Sequence, residues 1–418
     1  MGSYYIRGGK SLKGQVHISG SKNATLPIMA ASLMAADEVV LCGVPDLEDI
    51  NVMSDVLRYV GATVKRENDV LIIDSRNAAG IELPEYLSRK MRASNLVMGA
   101  LLARFKKATV AYPGGCAIGS RPMDLHLKGF RALGYQITDE CGVMYGKADK
   151  LGGQETLLDF PSVGATENIM MAAALTPGIT ILRNAAREPE IIDLQNFLNR
   201  MGARIRGAGL DTIRIEGVSR LHGVEHTVIP DRIEAGTFMV AAAITRGDIM
   251  INNIVLEHIQ SLVAKLREIG VDISSNGSWV RVSGHQALHS ADIKTMPYPG
   301  FPTDMQPQMM ALMSTVPGTS IIVETIFENR FMHVNELRRM GADIKIEGRV
   351  AIIKGREYLE GATVEATDLR AGAALVLAGL KARGETMVCK LEHIDRGYEK
   401  LHCKLQKLGA DIQRLPAP

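Results

Sequence analysis

The residues best suited to chemistry sit in one stretch, Ala111-Tyr112-Pro113-Gly114-Gly115-Cys116-Ala117-Ile118-Gly119-Ser120-Arg121-Pro122-Met123-Asp124-Leu125-His126. Three glycines and two prolines in sixteen residues exclude a regular helix or strand and leave a tight turn or a lid. Cys116 follows glycine and precedes small or aliphatic residues, so little side-chain bulk shields its sulfur. Arg121 is close enough in sequence to bias a thiolate or to hold an anion beside it. A structural cysteine on a loop is the plainer reading of this segment taken alone.

Cations recur at unexpected places elsewhere. Six apolar segments begin with charged or polar residues: Lys22 and Asn23, Arg92, Thr166 and Glu167, Arg232 and Glu234, Asp304, and Asp368 and Arg370. N-capping accounts for Asn23, Thr166, Asp304 and Asp368. It does not account for Lys22, Arg92 and Arg370, because cations are disfavoured at the positive end of a helix. A bound anion would, since helix N-termini joined by Lys or Arg make phosphate and carboxylate sites. Arg330 and Arg396 follow strand-like segments and add to the set. Each alone reads as a solvated surface residue; together they predict a cationic cleft for a small, multiply charged ligand.

The elements that must hold these residues repeat six times. A pattern of Leu, three residues and Gly, followed by an alternating strand, appears as LRYVGATV, FRALGYQI, LNRMGARI, LREIGVDI, LRRMGADI and LQKLGADI. Its glycines, Gly61, Gly134, Gly202, Gly270, Gly341 and Gly409, lie 73, 68, 68, 71 and 68 residues apart. An amphipathic helix ends at each, and a strand follows. Ahead of each lies a helix that is apolar nearly all round, then a turn and a β-branched strand, as in 23–41, 92–110, 166–182, 234–251, 304–322 and 370–388. A helix without a polar stripe must be covered on every side, so these six belong inside and the Gly-terminated helices outside.

The copies are circularly permuted. Strands after three of the Gly-terminated helices end in Gly217, Gly284 and Gly355, whereas the sixth copy stops without that ending. Tyr5-Ile6-Arg7-Gly8 and the segment to Ile18 supply it. The expected architecture is a two-domain, inside-out α/β barrel of six repeats of about 70 residues, three per domain. The expected boundaries are 22–229 for one domain, with 1–21 and 230–418 forming a second, discontinuous one, and the site between them.

The bulk composition narrows the function. With 418 residues the chain is too long for one core. The 48 Lys and Arg balance 46 Asp and Glu, which argues against a general nucleic-acid or membrane surface. Cys42, Cys116, Cys141, Cys389 and Cys403 form no CxxC pair, so a disulfide framework or zinc site is not expected and a reducing cytoplasm is. The N-terminus shows no apolar signal core, and no apolar run reaches the roughly 20 residues of a membrane span. Walker-type and dinucleotide glycine loops are missing, as is HExxH. His126, His333 and His393 read as packing or hydrogen-bonding residues. No cofactor and no metal are expected; a homo-oligomer is compatible with all of this.

The segments SGSKNATLP (19–27), RASNLVMG (92–99), GGCAIGSRPMDLH (114–126), SVGATEN (162–168), AAREPEI (185–191), FPTDMQ (301–306), ENRFMH (328–333), DLRAG (368–372) and IDRGYE (394–399) resemble the enolpyruvyl transferases over essentially the whole chain. The Cys loop and ENRFMH are similar to the branch that takes UDP-N-acetylglucosamine, rather than the sister branch that takes shikimate 3-phosphate. The resemblance implies transfer of the enolpyruvyl group of phosphoenolpyruvate to a sugar 3′-hydroxyl by addition and elimination, with phosphate released. It implies that Lys22, Arg121 and Arg396 hold phosphoenolpyruvate, with Asn23, Arg92 and Arg370 near the same cluster. It makes Cys116 the general acid and Asp304 the general base. The nucleotide sugar would meet Asn23, Arg92, Arg121, Pro122, Met123, Asp124, Leu125, Ser162, Val163, Gly164, Asp304, Ile326 and Arg330. A different acceptor and a non-catalytic regulatory paralogue are the alternatives.

Overall fold

The computed structural model describes residues 2–114, 118, 119 and 122–416. It contains two compact units. One comprises Met1–Ser19, Ala117–Ser120 and Pro230–Pro418; the other comprises Gly20–Cys116 and Arg121–Ile229. Each has its own hydrophobic core.

The six apolar segments form helices Lys22–Ala31, Leu96–Phe105, Val163–Ala174, Arg232–Ile244, Gln306–Met313 and Leu369–Lys381. Nearly every residue on them is buried, on all sides, as the lack of a polar stripe requires. Truncating one such residue, for example the fully buried Leu101, would cost about 2–5 kcal/mol. The helices that end at the repeat glycines bury one face only: Glu48–Tyr59, for instance, buries Ile50, Met53, Val56 and Leu57 and exposes Asn51 and Arg58.

The repeat motif has a local cause. All six repeat glycines have positive φ, between 86° and 105°. In five copies the residue after Gly donates its N–H to the carbonyl of the motif leucine: Ala62 to Leu57, Ala203 to Leu198, Val271 to Leu266, Ala342 to Leu337 and Ala410 to Leu405. This is the six-to-one bond of a Schellman cap, and it needs a residue free to turn left-handed.

Each repeat builds a four-stranded sheet of one plan, in which the first strand is parallel to the second and the other neighbours are antiparallel. The parallel edge strand always comes from the preceding repeat. Glu82–Leu83 pairs with Lys107–Ala111, Glu155–Leu157 with Ile179–Arg183, and Glu225–Thr227 returns to Glu38–Cys42, closing a ring of three sheets. In the other unit Ile293–Lys294, Thr363–Glu365 and Lys13–His17 do the same for Thr319–Val323, Glu385–Cys389 and Asp248–Asn252. Each unit is thus three helices inside a closed ring of sheets. The N-terminal strand Ser3–Arg7 lies between Glu385–Cys389 and Asp411–Leu415, inside the last repeat's sheet. Gly8 ends it for the same reason that Gly217 and Gly355 end theirs. A Cβ on these glycines would fall 2.1, 1.6 and 1.5 Å from the carbonyl oxygens of Ala382, Thr176 and Val316.

The helix starts differ in detail from the capping expectation. The side-chain caps are Ser21, Ser162, Asp231 and Asp368. Of the four expected caps only Asp368 serves. Asn23 and Thr166 lie inside their helices, and Thr166 Oγ1 instead accepts from Ala186 N–H at 3.0 Å. Arg92 and Asp304 sit in single 3-10 turns, Arg92–Asn95 and Thr303–Met305, ahead of the α-helices proper. Among the described residues no helix is long and apolar enough to cross a membrane.

Candidate active site

In the unit containing the C-terminus, three of the sequence-selected residues meet. Asp304 lies in its 3-10 turn, Arg330 in the turn before helix Val334–Arg339, and Arg370 in the first turn of Leu369–Lys381. Arg330 Nη2 donates to Asp304 Oδ1 at 3.1 Å, while Arg370 Nε donates to Oδ2 at 3.2 Å and its Nη2 lies 3.2 Å from the same oxygen. The two guanidiniums are 2% and 1% exposed, whereas the carboxylate side chain is 29% exposed. The acid is therefore clamped from beneath by two cations and open to solvent above.

Arg370 also lies over the ring of Tyr398, 5.3 Å from its centroid. Burial works against the Arg370 charge, but Tyr398, Asp304 and Asp231 outweigh it and hold the group firmly protonated. The Tyr398 hydroxyl is fixed by Thr237 Oγ1 at 2.9 Å and by Gln308 Nε2 at 3.1 Å, from the other two interior helices of the unit. Arg396 follows helix Leu391–Ile394, two residues before Tyr398. Ile326 donates its N–H to Glu324 Oε1 at 2.8 Å, in the turn after strand Thr319–Val323.

In the other unit Lys22 opens helix Lys22–Ala31 and pairs with Asp49 at 2.8 Å, both almost wholly buried. Asn23 follows Lys22 and is half-buried. Ser162 caps helix Val163–Ala174, whose first residues are Val163 and Gly164. Asp124 begins helix Asp124–Ala132, with Leu125 half-buried, Pro122 exposed and Met123 buried. The Met123 sulfur accepts from Asn95 Nδ2 at 3.1 Å. The charge of Arg92 acts on His126: burial, with Arg92 adding to it, brings that imidazole's pKa down to about 3. Helix Val163–Ala174 also buries Glu167, whose carboxyl is pushed well above the usual range by burial and by Glu190 and Glu188.

Cys116 and Arg121 lie outside the described residues. Of their loop, Ile118 is buried and its carbonyl accepts from Asn329 N–H at 3.0 Å. Among the described residues no group of three or more His, Cys, Asp or Glu could hold a metal ion.

The sequence reading missed Asp49, the partner of Lys22. A signal was present: LEDI at 47–50 aligns with EPEI at 188–191 and LEHI at 256–259 and 391–394, a repeat position that carries a titratable residue each time. Tyr398 and Asn168, the side chains that fix Arg370 and His126, were quoted within motifs but given no task.

Residues 6–405 match the family model described as EPSP synthase (3-phosphoshikimate 1-carboxyvinyltransferase). The chain belongs to this family of enolpyruvyl transferases. A family member from Caldanaerobacter subterraneus subsp. tengcongensis, called UDP-N-acetylglucosamine 1-carboxyvinyltransferase 1, is 59% identical over 403 residues, covering 96% of this chain and 97% of that protein. One of the same name from Carboxydothermus hydrogenoformans is 55% identical, covering 99% of each. Among solved structures, the enolpyruvyl transferase NikO from Streptomyces tendae superposes with a TM-score of 0.90 at 26% identity over all of both chains. EPSP synthase from Acinetobacter baumannii superposes with a TM-score of 0.77 at 19% identity over all of both chains, a likeness of fold alone.

Proposed function

We propose that this family member transfers the enolpyruvyl group of phosphoenolpyruvate to the 3′-hydroxyl of UDP-N-acetylglucosamine, releasing phosphate, as the entry step of peptidoglycan precursor synthesis. The observation that carries the choice of acceptor is the near-full-length identity of 59% and 55% to proteins named for that reaction.

The addition needs a base, an acid and fixed cations. In this reading Asp304 takes the 3′-hydroxyl proton as the oxygen attacks C2 of phosphoenolpyruvate. Cys116 gives a proton to the methylene carbon, which becomes a methyl group in the tetrahedral intermediate. Elimination then breaks the bond from C2 to the phosphate oxygen and removes a methyl proton, leaving the enol ether and inorganic phosphate. Acid and base assistance of this kind is worth roughly 10²–10⁴ each. Lys22, Arg121 and Arg396 would hold the phosphate and carboxylate, with Arg92 and Arg370 close by. Asn23 would orient the sugar. The nucleotide would lie along Arg121–Leu125 and Ser162–Gly164, with Ile326 and Arg330 toward the sugar. The clamp on Asp304 supports the base role, because two buried guanidiniums keep it ionised and fix both its oxygens. We place the catalytic groups between domains 22–229 and 1–21 plus 230–418, and the reaction in the cytoplasm.

Phosphate release from phosphoenolpyruvate, measured in parallel with UDP-N-acetylglucosamine and with shikimate 3-phosphate, tests the proposal. Turnover with the nucleotide sugar alone is expected. Turnover with shikimate 3-phosphate alone would overturn the acceptor and favour the activity in the family model's description. Silence with both, from folded protein, would point to a regulatory paralogue.

A further inference from the structure

Three motifs separated in sequence converge on one buried imidazole. His126 is 4% exposed and lies on helix Asp124–Ala132, which packs against helix Val163–Ala174. The two helices touch closely at Gly129, where a Cβ would fall 2.2 Å from Ile169 Cδ1. At their other contact the edge of the His126 ring faces Gly164, where a Cβ would fall 3.2 Å from Cε1 and 3.6 Å from Nε2. One turn further along the same helix, Asn168 meets His126 Nδ1 at 2.9 Å.

The hydrogen bonds fix the ring's tautomer. Gly99 N–H can only donate, and it donates to Asn168 Oδ1 at 2.8 Å. That orients the amide, so Asn168 Nδ2 is the donor toward both Asn95 O at 3.3 Å and His126 Nδ1 at 2.9 Å. An Nδ1 that accepts carries no proton, so the ring proton is on Nε2, at the edge beside Gly164. Burial and the neighbouring Arg92 keep the ring neutral through the working pH range.

We propose that His126, held as the neutral Nε2–H tautomer by Asn168, is the positioning residue that sets the register between the two helix N-termini receiving the nucleotide acceptor. One N-terminus carries Asp124 and Leu125; the other carries Ser162, Val163 and Gly164. The inference rests on the functional reading above. His126 acts through these segments and touches none of the reacting atoms, so its loss weakens acceptor binding and spares the chemistry.

The test is steady-state kinetics of wild type, His126→Ala and His126→Asn, with both substrates varied. His126→Ala removes the acceptor for Asn168 Nδ2 and should raise KM for UDP-N-acetylglucosamine about tenfold, with kcat and the KM for phosphoenolpyruvate within about twofold. His126→Asn keeps an acceptor oxygen and should recover most of that loss. Equal rises in both KM values, or no rise in either, would overturn the proposal. Nitrogen-15 NMR of histidine-labelled wild type is a second reading that needs no variant. A proton on Nε2 at pH 6.5 is expected; a proton on Nδ1 would refute the assignment. Wild type that fails to turn over UDP-N-acetylglucosamine would instead sink the functional reading, and the acceptor role with it, while the tautomer is still decided by the spectrum.

Discussion

Asp304→Ala should destabilise the unit that carries it by about 2–3 kcal/mol, apart from any effect on activity. Removing one partner of a buried ion pair costs about 3–5 kcal/mol, because the remaining charge is stranded. Here two guanidiniums are stranded side by side, each almost wholly buried. The carboxylate itself is 29% exposed, so water entering its place screens part of the repulsion and favours the lower figure. The single tryptophan, Trp279, belongs to the same unit, so its fluorescence follows the unit that is perturbed. With an m-value of ~2–3 kcal/mol/M, the urea midpoint should fall by about 1 M. Sulfate should restore the variant more than it helps wild type, by occupying the space between Arg330 and Arg370. A second change, Arg330→Met, should recover part of the loss. Activity cannot separate a clamp from a base, since either role is lost with Asp304; stability can. A midpoint within about 0.2 M of wild type, with no extra response to sulfate, would refute the clamp.

Gly99→Ala would place a Cβ 2.5 Å from Asn168 Oδ1 and 2.6 Å from its backbone oxygen. The helix-propensity gain of about 1 kcal/mol should be outweighed by overpacking against a backbone that cannot yield, giving a net loss of about 1–2 kcal/mol by urea titration. Acid should weaken both units. His126 has its pKa lowered to about 3, by burial and Arg92, and His333 to about 4, chiefly by burial. In each case the unfolded chain takes up the proton first, near pH 6.5, so stability is full above that pH and falls below it, by about 2 kcal/mol per histidine at pH 5. Urea midpoints at pH 7.5 and 5 check this, and His333→Leu should flatten the acid limb of the Trp279 signal. Glu167→Gln should stabilise its unit at pH 8. The raised carboxyl pKa means the native state holds a proton that the unfolded chain has lost, so stability falls as pH rises above about 4.5. The variant's advantage should shrink toward pH 5; an equal gain at both pH values would refute the burial argument.

The sequence by itself determined the repeat, because its signals are local. A leucine, three residues and a glycine specify a cap whose bonds close within six residues, and Ala62 to Leu57 is one such bond. A helix with no polar stripe, such as Val163–Ala174, has no side to offer water and must be interior wherever the chain takes it. Gly8 betrayed the displaced end of the last repeat, because a glycine is required where a strand grazes a helix carbonyl. The anion-binding character of the site was legible from cations at helix starts, a placement that local physics opposes.

Tertiary structure decided which charge meets which. Lys22 and Asp49 are 27 residues apart, and Asp304 and Arg370 are 66. No helical or strand period spans such distances; the ring closure of the sheets brings them together. It also chose Ser21, Ser162 and Asp231 as caps over Asn23 and Thr166, because the packed register of each buried helix sets where it begins. The proton on His126 is the furthest such case. Its position follows from Gly99 N–H through the Asn168 amide, and that chain exists only once two interior helices and an outer one are in contact.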